Sequence, residues 1–386
     1  MREFTVKYGG KLKRFIASKD KSTYVEKFLW KARHIHIPVL LPLRPQTYGD
    51  RVEAEQARFR DMIDVNELPP IFHYWATTHL RPIFDEFGID HQYDWFAKHF
   101  LESALRDPDG PHAFASIGAG NCDTEVYVAR RLKEFGLERF TIECLDMNVN
   151  MLERGRAMAA AEGVADCLRF VEADLNDWRA ERLYTGFMAN QSLHHIVNLE
   201  QLFSEVRMAL RADGVFVISD IVGRNGHMRW PEALKGVHAF WQELPQDYRY
   251  NLMLKRHEEI YENWDCSNEG FEGIRAQDIL PLLIERFHFD RFIGFGNVID
   301  PFIDRCFGHA FDPESEWDRD FIDRIHAYDE RGFADGSLTP THMFAVVTGP
   351  KRDNPRYSRG LSPEACMRIP DAGMPRRAHV MTGGAS

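Results

Sequence analysis

The rhythm of hydrophobic and polar positions changes once along the chain. Up to about residue 110 no strand-like alternation is visible, while apolar residues recur at helical spacing over residues 22–32, 51–63 and 93–105. A mostly helical N-terminal extension is expected there. Within it lies Leu68-Pro69-Pro70-Ile71-Phe72-His73-Tyr74-Trp75, where the double proline is expected to stop a helix and fix the approach of an aromatic stretch. From Pro111 onward short apolar runs alternate with amphipathic helical patterns, as βα units of a parallel sheet require. The strand candidates are residues 113–117, 139–145, 168–172, 186–189 and 214–220, with 289–295 and 342–347 closing the sheet after a long insertion.

The insertion, residues 222–285, carries Trp230, Phe240, Trp241, Tyr248, Tyr250, Tyr261 and Trp264 among charged residues and reads as a helical cap over the sheet. After Gly349 the sequence turns to Arg, Pro, Gly and Ser without apolar periodicity, so residues 350–386 are expected to be a disordered tail. The division is then an extension over 1–110, a catalytic domain over 111–349 with its cap, and a tail. There is no internal repeat and no heptad run.

Composition adds bounds rather than chemistry. With 44% hydrophobic and 28% charged residues, the 386-residue chain has material for a large core. No apolar run approaches the roughly 20 residues that span a bilayer, and no secretory signal pattern opens the sequence, so no membrane partner is expected and a cytoplasmic location follows by default. Cys122, Cys144, Cys167, Cys266, Cys306 and Cys366 form no Cys-x-x-Cys pair, which argues against both a zinc ribbon and a disulfide framework. The net charge of −11 hides an asymmetry: residues 1–60 hold 14 Lys+Arg against 6 Asp+Glu. That basic arm could meet an anionic partner or simply be a solvated face, while the acidic remainder argues against nucleic acid.

Three strand ends carry the candidate chemistry. In Ser116-Ile117-Gly118-Ala119-Gly120-Asn121-Cys122-Asp123 a strand runs through a glycine turn into a helix, which lets a ligand approach the backbone near free amides. The next strand ends in Asp146-Met147, where a carboxylate can accept from both hydroxyls of a ribose. The third ends near Asp174-Leu175, where an acid can accept from an adenine amine.

With the fourth strand's Gly186-Phe187-Met188-Ala189-Asn190-Gln191-Ser192-Leu193-His194-His195, this order resembles the class I (Rossmann-like) S-adenosylmethionine-dependent methyltransferases over residues 111–222, and more loosely over 285–349. The resemblance implies a seven-stranded, mostly parallel α/β sheet with an antiparallel closing hairpin. It also implies S-adenosyl-L-methionine as cofactor, with Gly118, Gly120 and Asn190 at its methionine part, Asp146 and Met147 at the ribose, and Asp174 and Leu175 at the adenine. Two positions depart from the family pattern: Ser116 stands where an acid is common, and Cys122 where a third glycine is. The alternatives are a dinucleotide-dependent oxidoreductase, which also uses a glycine turn and a strand-end acid, and a non-catalytic interaction protein of the same fold.

Histidines at the carboxyl edge of the sheet are the candidates to take a proton from an acceptor: His195 first, then His194 and His227. Asp220 could join them around a divalent cation, but the spacing matches no metal motif, so no metal is expected. The Asn-Pro-Pro-Tyr type of signature is absent after the fourth strand, which favours a small-molecule acceptor over DNA. Its pocket is expected between the sheet edge, His73, Tyr74 and Trp75, and the start of the cap at Arg229 and Trp230. The sequence leaves homo-oligomerisation and the acceptor atom open.

Overall fold

A computed structural model describes residues 48, 51, 68–107, 110–268 and 270–368. The helical segments expected at 22–32 and 51–63, the basic arm, and the last part of the tail therefore lie outside the described residues.

The sheet is built from strands β1 (His112–Ile117), β2 (Phe140–Asp146), β3 (Leu168–Glu172), β4 (Tyr184–Asn190), β5 (Leu210–Ile221), β8 (His288–Phe295), β9 (His342–Thr348) and β10 (Arg356–Tyr357). A separate two-stranded hairpin, β6 (Tyr250–Asn251) and β7 (Arg256–His257), belongs to the cap. Across the large sheet the order is β10-β8-β9-β5-β4-β1-β2-β3. Strands β3 to β5 are parallel, and β9 runs antiparallel between β5 and β8. All expected strands are present. Residues 211–214, ahead of most of the strand expected at 214–220, lie inside β5, but the pairing jumps from Tyr184↔Leu210 to Gly186↔Val215, so those residues bulge out of register.

The eighth strand corrects the expectation for the tail. Tyr357 pairs with Phe292, Arg359 donates to the Gly294 carbonyl and to Glu330, and Cys366 is buried, so order continues to residue 368. Low apolar content concealed it because these anchors are guanidinium and backbone contacts.

Helices cover both faces. The first described segment is α1 (Pro70–Trp75), a π-helical turn (Ala76–Leu80) and α2 (Arg81–Glu86). The double proline starts this helix: Pro70 takes the first helical position, where a missing N–H costs nothing. The π turn precedes Pro82, which lacks the N–H that would continue the ladder. Next come α3 (Asp94–Ala104), α4 (Asp123–Glu134), α5 (Val149–Ala161) and α6 (Leu199–Ala209).

The inserted sequence forms α7 (Pro231–Glu243), while α8 (Ala276–Arg286) packs beside α6 on the sheet rather than in the cap. A second insertion, between β8 and β9, contributes α9 (Asp300–Ile303) and the long α10 (Glu316–Asp335). Phe240 of α7 meets Phe321 and Tyr328 of α10 edge-on, and Trp241 packs on Phe302 and Phe307, so the cap is a joint product of both insertions. No helix among the described residues is long and apolar enough to cross a membrane.

The turn after β1 is wedged against α5. A Cβ on Gly155 would lie 2.7 Å from the Cys122 sulfur and 2.9 Å from the Asn121 carbonyl oxygen. Gly155→Ala should gain about 1 kcal/mol of helix propensity and lose about 1–3 kcal/mol to overpacking, a net loss of stability. Urea unfolding decides the sign; a variant as stable as the parent would show that the turn has room to move.

Candidate active site

The carboxyl edge of β1 holds a turn of left-handed residues, with φ of 69° at Gly118, 53° at Gly120 and 63° at Cys122. Gly118 has a steric reason as well, since a Cβ there would sit 2.6 Å from the Ser192 Cβ. Asp146, at the end of β2, accepts from the Gly120 N–H at 2.8 Å and the Asn148 N–H at 2.7 Å, so its carboxylate closes the rim of the turn. Met147 follows it, half-buried. Asn190, at the end of β4, donates to Thr124 at the start of α4.

The other expected cofactor residues have local roles too. Asp174 is exposed and its carboxylate accepts from the Asn176 backbone N–H at 2.9 Å, shaping the turn after β3. The Leu175 side chain is buried in the core beside Leu145 and Ile117, so only its backbone can face a ligand.

Ser116 meets an acid from another element. The Ser116 hydroxyl donates to Glu125 of α4 at 2.5 Å, and the second carboxylate oxygen of Glu125 is buried without a hydrogen-bond partner. Burial pushes this carboxyl up to about 7, against the lowering effect of the Ser116 hydrogen bond.

At the ends of β4 and β5 four side chains converge. Asp220, fully buried, receives the Ser192 and Leu193 N–H groups on one oxygen and faces His194 Nδ1 at 2.7 Å with the other. His194 Nε2 lies 3.4 Å from the Glu272 Oε1, which is also 3.0 Å from His227 Nε2. Burial opposes a charge on His194, but Asp220 and Glu272 outweigh it and hold the imidazolium up to about 10. Despite its own burial, Glu272 lies well below the usual carboxylate range because His194 and His227 face it. His195 stacks on His194 with ring centroids 4.3 Å apart. Glu272 is the member that the sequence pattern missed: it sits in the cap segment, and nothing in its neighbourhood of residues points to His194.

The expected substrate wall divides differently. Trp230 is buried and packs against the guanidinium groups of Arg224 and Arg368. Arg229 is buried as well, donating to Asp300 at 2.5 Å, to the Asn297 carbonyl at 2.7 Å and to the His227 carbonyl at 2.9 Å. Trp75 is buried against Phe295 and His326, Tyr74 donates to Asp323 of α10, and His73 is exposed. These contacts join α1 to the second insertion rather than to the histidines.

Residues 115–214 match the model of a family described as a methyltransferase domain. No curated protein matches by sequence. Among solved structures the chain is similar to a geranyl diphosphate methyltransferase in complex with GPP and sinefungin, at 14% identity and a TM-score of 0.39 over 67% of this chain and 78% of that one. It is similar also to a geranyl diphosphate C-methyltransferase from Streptomyces coelicolor A3(2), at 14% identity and 0.37 over 66% and 79%. An O-methyltransferase of a trans-AT PKS multienzyme from Brevibacillus brevis gives 11% and 0.36 over 65% and 72%.

The buried Glu125 makes stability depend on pH with a definite sign. Below about pH 4 both folded and unfolded chains hold the proton. Between pH 4.5 and 7 the unfolded chain releases it first, so stability falls as pH rises, by about 1.4 kcal/mol per unit separating the two pKa values. Glu125→Gln removes this loss. Melting curves should show the variant gaining on the parent between pH 4.5 and pH 8; a difference that is constant with pH would mean Glu125 is ionised in the fold.

Proposed function

We propose that this chain, an S-adenosylmethionine-dependent methyltransferase of class I through its residues 115–214, transfers the methyl group to a small-molecule acceptor at the carboxyl edge of β4 and β5. The family match goes against the dinucleotide alternative. The observation that carries the acceptor's place is the chain Asp220–His194–Glu272–His227, which is tied through Ser192 to the glycine turn.

The residues present fit the cofactor. Gly118 and Gly120 leave the turn open to a close approach, Asp146 offers a carboxylate at its rim, and the unpartnered Glu125 oxygen lies beneath as an acceptor for a cationic amine. Met147, Asn190, the backbone at Leu175 and Asp174 complete the lining. When bound, S-adenosylmethionine supplies a methyl group activated by its sulfonium. The protein's part is to hold the acceptor in line, exclude water and take a proton where the acceptor carries one.

For the proton we assign His195. Both nitrogens of His194 face carboxylates and His227 faces Glu272, so those two rings are committed to holding the chain together. His195 lies beside them on the sheet edge, half-buried. The cap residues Arg229, Trp230 and Trp75 then act indirectly, by fixing the segments that carry His227 and closing the helical layer. A small-molecule acceptor suits a site enclosed by two insertions.

Calorimetry should show binding of S-adenosylmethionine and S-adenosylhomocysteine without competition from NAD or NADP. Asp146→Ala should weaken that binding about ten- to hundredfold in a folded protein, the equivalent of one charged hydrogen bond. Tight dinucleotide binding with neither adenosyl ligand bound would overturn the class.

His195→Ala should leave S-adenosylhomocysteine affinity intact while lowering turnover about 10²- to 10⁴-fold, the range of a general base, once an acceptor is found by thermal-shift screening of metabolites. Full turnover by that variant would remove His195 from the chemistry.

A further inference from the structure

Two imidazoles and one carboxylate meet at the cap side of the sheet edge in an arrangement that also suits a metal ion. One possible ligand atom from each of His194, His227 and Glu272, a ring nitrogen or a carboxylate oxygen, lies within 4.8 Å of the other two. The two edges that run to Glu272 measure 3.4 and 3.0 Å. Ligand atoms about 2.1 Å from a common ion are separated by about 3.0 Å at octahedral angles and about 3.4 Å at tetrahedral ones. Both measured edges fall on that scale.

Three further observations separate an ion site from a fortuitous cluster. First, His227 Nε2 is buried and lies 3.0 Å from the Glu272 oxygen, so this nitrogen is turned toward the same point. Second, His194 is held on its other nitrogen by Asp220 at 2.7 Å, the arrangement by which a carboxylate orients a ligating imidazole. Asp220 is itself fully buried and fixed by the Ser192 and Leu193 N–H groups.

Third, the backbone is shaped to bring the ligands together. His227 adopts a left-handed φ of 56°, costly for a residue other than glycine, and Arg229 grips its carbonyl. The Gly226 N–H donates to the Gly273 carbonyl at 2.9 Å, and a Cβ on Gly273 would stand 2.5 Å from the His227 ring. Only glycine beside Glu272 lets the two segments close to this distance.

We propose that His194, His227 and Glu272 bind a divalent first-row transition-metal ion. The ion takes the place of the proton that Asp220 and Glu272 otherwise hold on His194, and two imidazoles with one carboxylate select a transition metal over magnesium or calcium, which prefer all-oxygen shells. Three protein ligands leave positions open, and the site is not sealed: the side chains of His227 and Glu272 keep 24% and 18% of their surface exposed, while that of His194 is 4% exposed. The open side is where water or an acceptor oxygen would complete the shell. This assignment deepens the acceptor-site reading and rests on it only for what the ion contacts; ion binding itself does not depend on methyl transfer.

The test uses the full chain, stripped with chelator and checked for folding by its melting curve. Co²⁺ should bind at one equivalent and give visible d–d absorption, and Zn²⁺ should displace it. His227→Asn and Glu272→Gln, both on the open side of the site, should each weaken Zn²⁺ binding at least 100-fold while keeping S-adenosylhomocysteine affinity. Asp220→Asn should weaken it about 10- to 100-fold. No stoichiometric binding of Zn²⁺ or Co²⁺ by the folded parent at micromolar concentration, or binding that ignores both open-side substitutions, would overturn the proposal. S-adenosylhomocysteine binding measured on the same samples keeps the two ideas apart: its loss with Zn²⁺ retained counts against methyl transfer and leaves the ion site standing.

Discussion

Asp220 is the constraint on which the functional edge depends. A carboxylate with no solvent exposure costs several kcal/mol unless its lone pairs are filled. Here the Ser192, Leu193 and Ile221 N–H groups and the His194 ring fill them. Filling them dictates the path of residues 192–194. Ser192 is thereby laid against Gly118 and donates to the Ile117 carbonyl at 2.5 Å, while the His194 ring is turned toward Glu272. The glycine turn on one side and the histidines on the other are placed by the same anion.

The half of the sheet that carries the turn was legible because its determinants are local in sequence. Short apolar runs marked β1 to β4 to within a residue or two, and glycine at 118 and 120 and acid at 146 stand at strand ends where backbone geometry alone exposes them. The same residues also show how far such reading goes. Gly118 is required by Ser192, and the Leu175 side chain belongs to the core. Ser116, a departure from the family pattern, donates to Glu125, nine residues on in the first turn of α4, a hydrogen bond that no linear motif encodes.

The other half was legible only as composition. Aromatic density announced a cap, but pairing is long-range: α7 needs α10 from the second insertion, and His194 needs Glu272 from the first. Residues spread over 194–272 have no spacing to recognise, and the expectation of no metal rested on motif reading. Trp75 and Trp230 were read as a substrate wall for a related reason. A tryptophan in a cap offers the same apolar face to a substrate as to a neighbouring guanidinium or helix, and only tertiary contacts tell which one takes it.

The two halves are stabilised by different means, and this bears on how each can vary. The glycine turn is held by backbone conformation and by N–H groups donated to Asp146, so few side chains there can change without closing it. The His227 segment is held against its own conformational preference by the Arg229 grip on its carbonyl and the Gly226–Gly273 hydrogen bond. Arg229 in turn is fixed by Asp300, which also accepts from Thr341 at the entrance to β9. A strained residue persists only where its surroundings over-determine it. The cap therefore acts on the site through this chain of buried polar contacts, from β9 through Asp300 and Arg229 to His227, and a change in either insertion reaches the histidine without touching the turn.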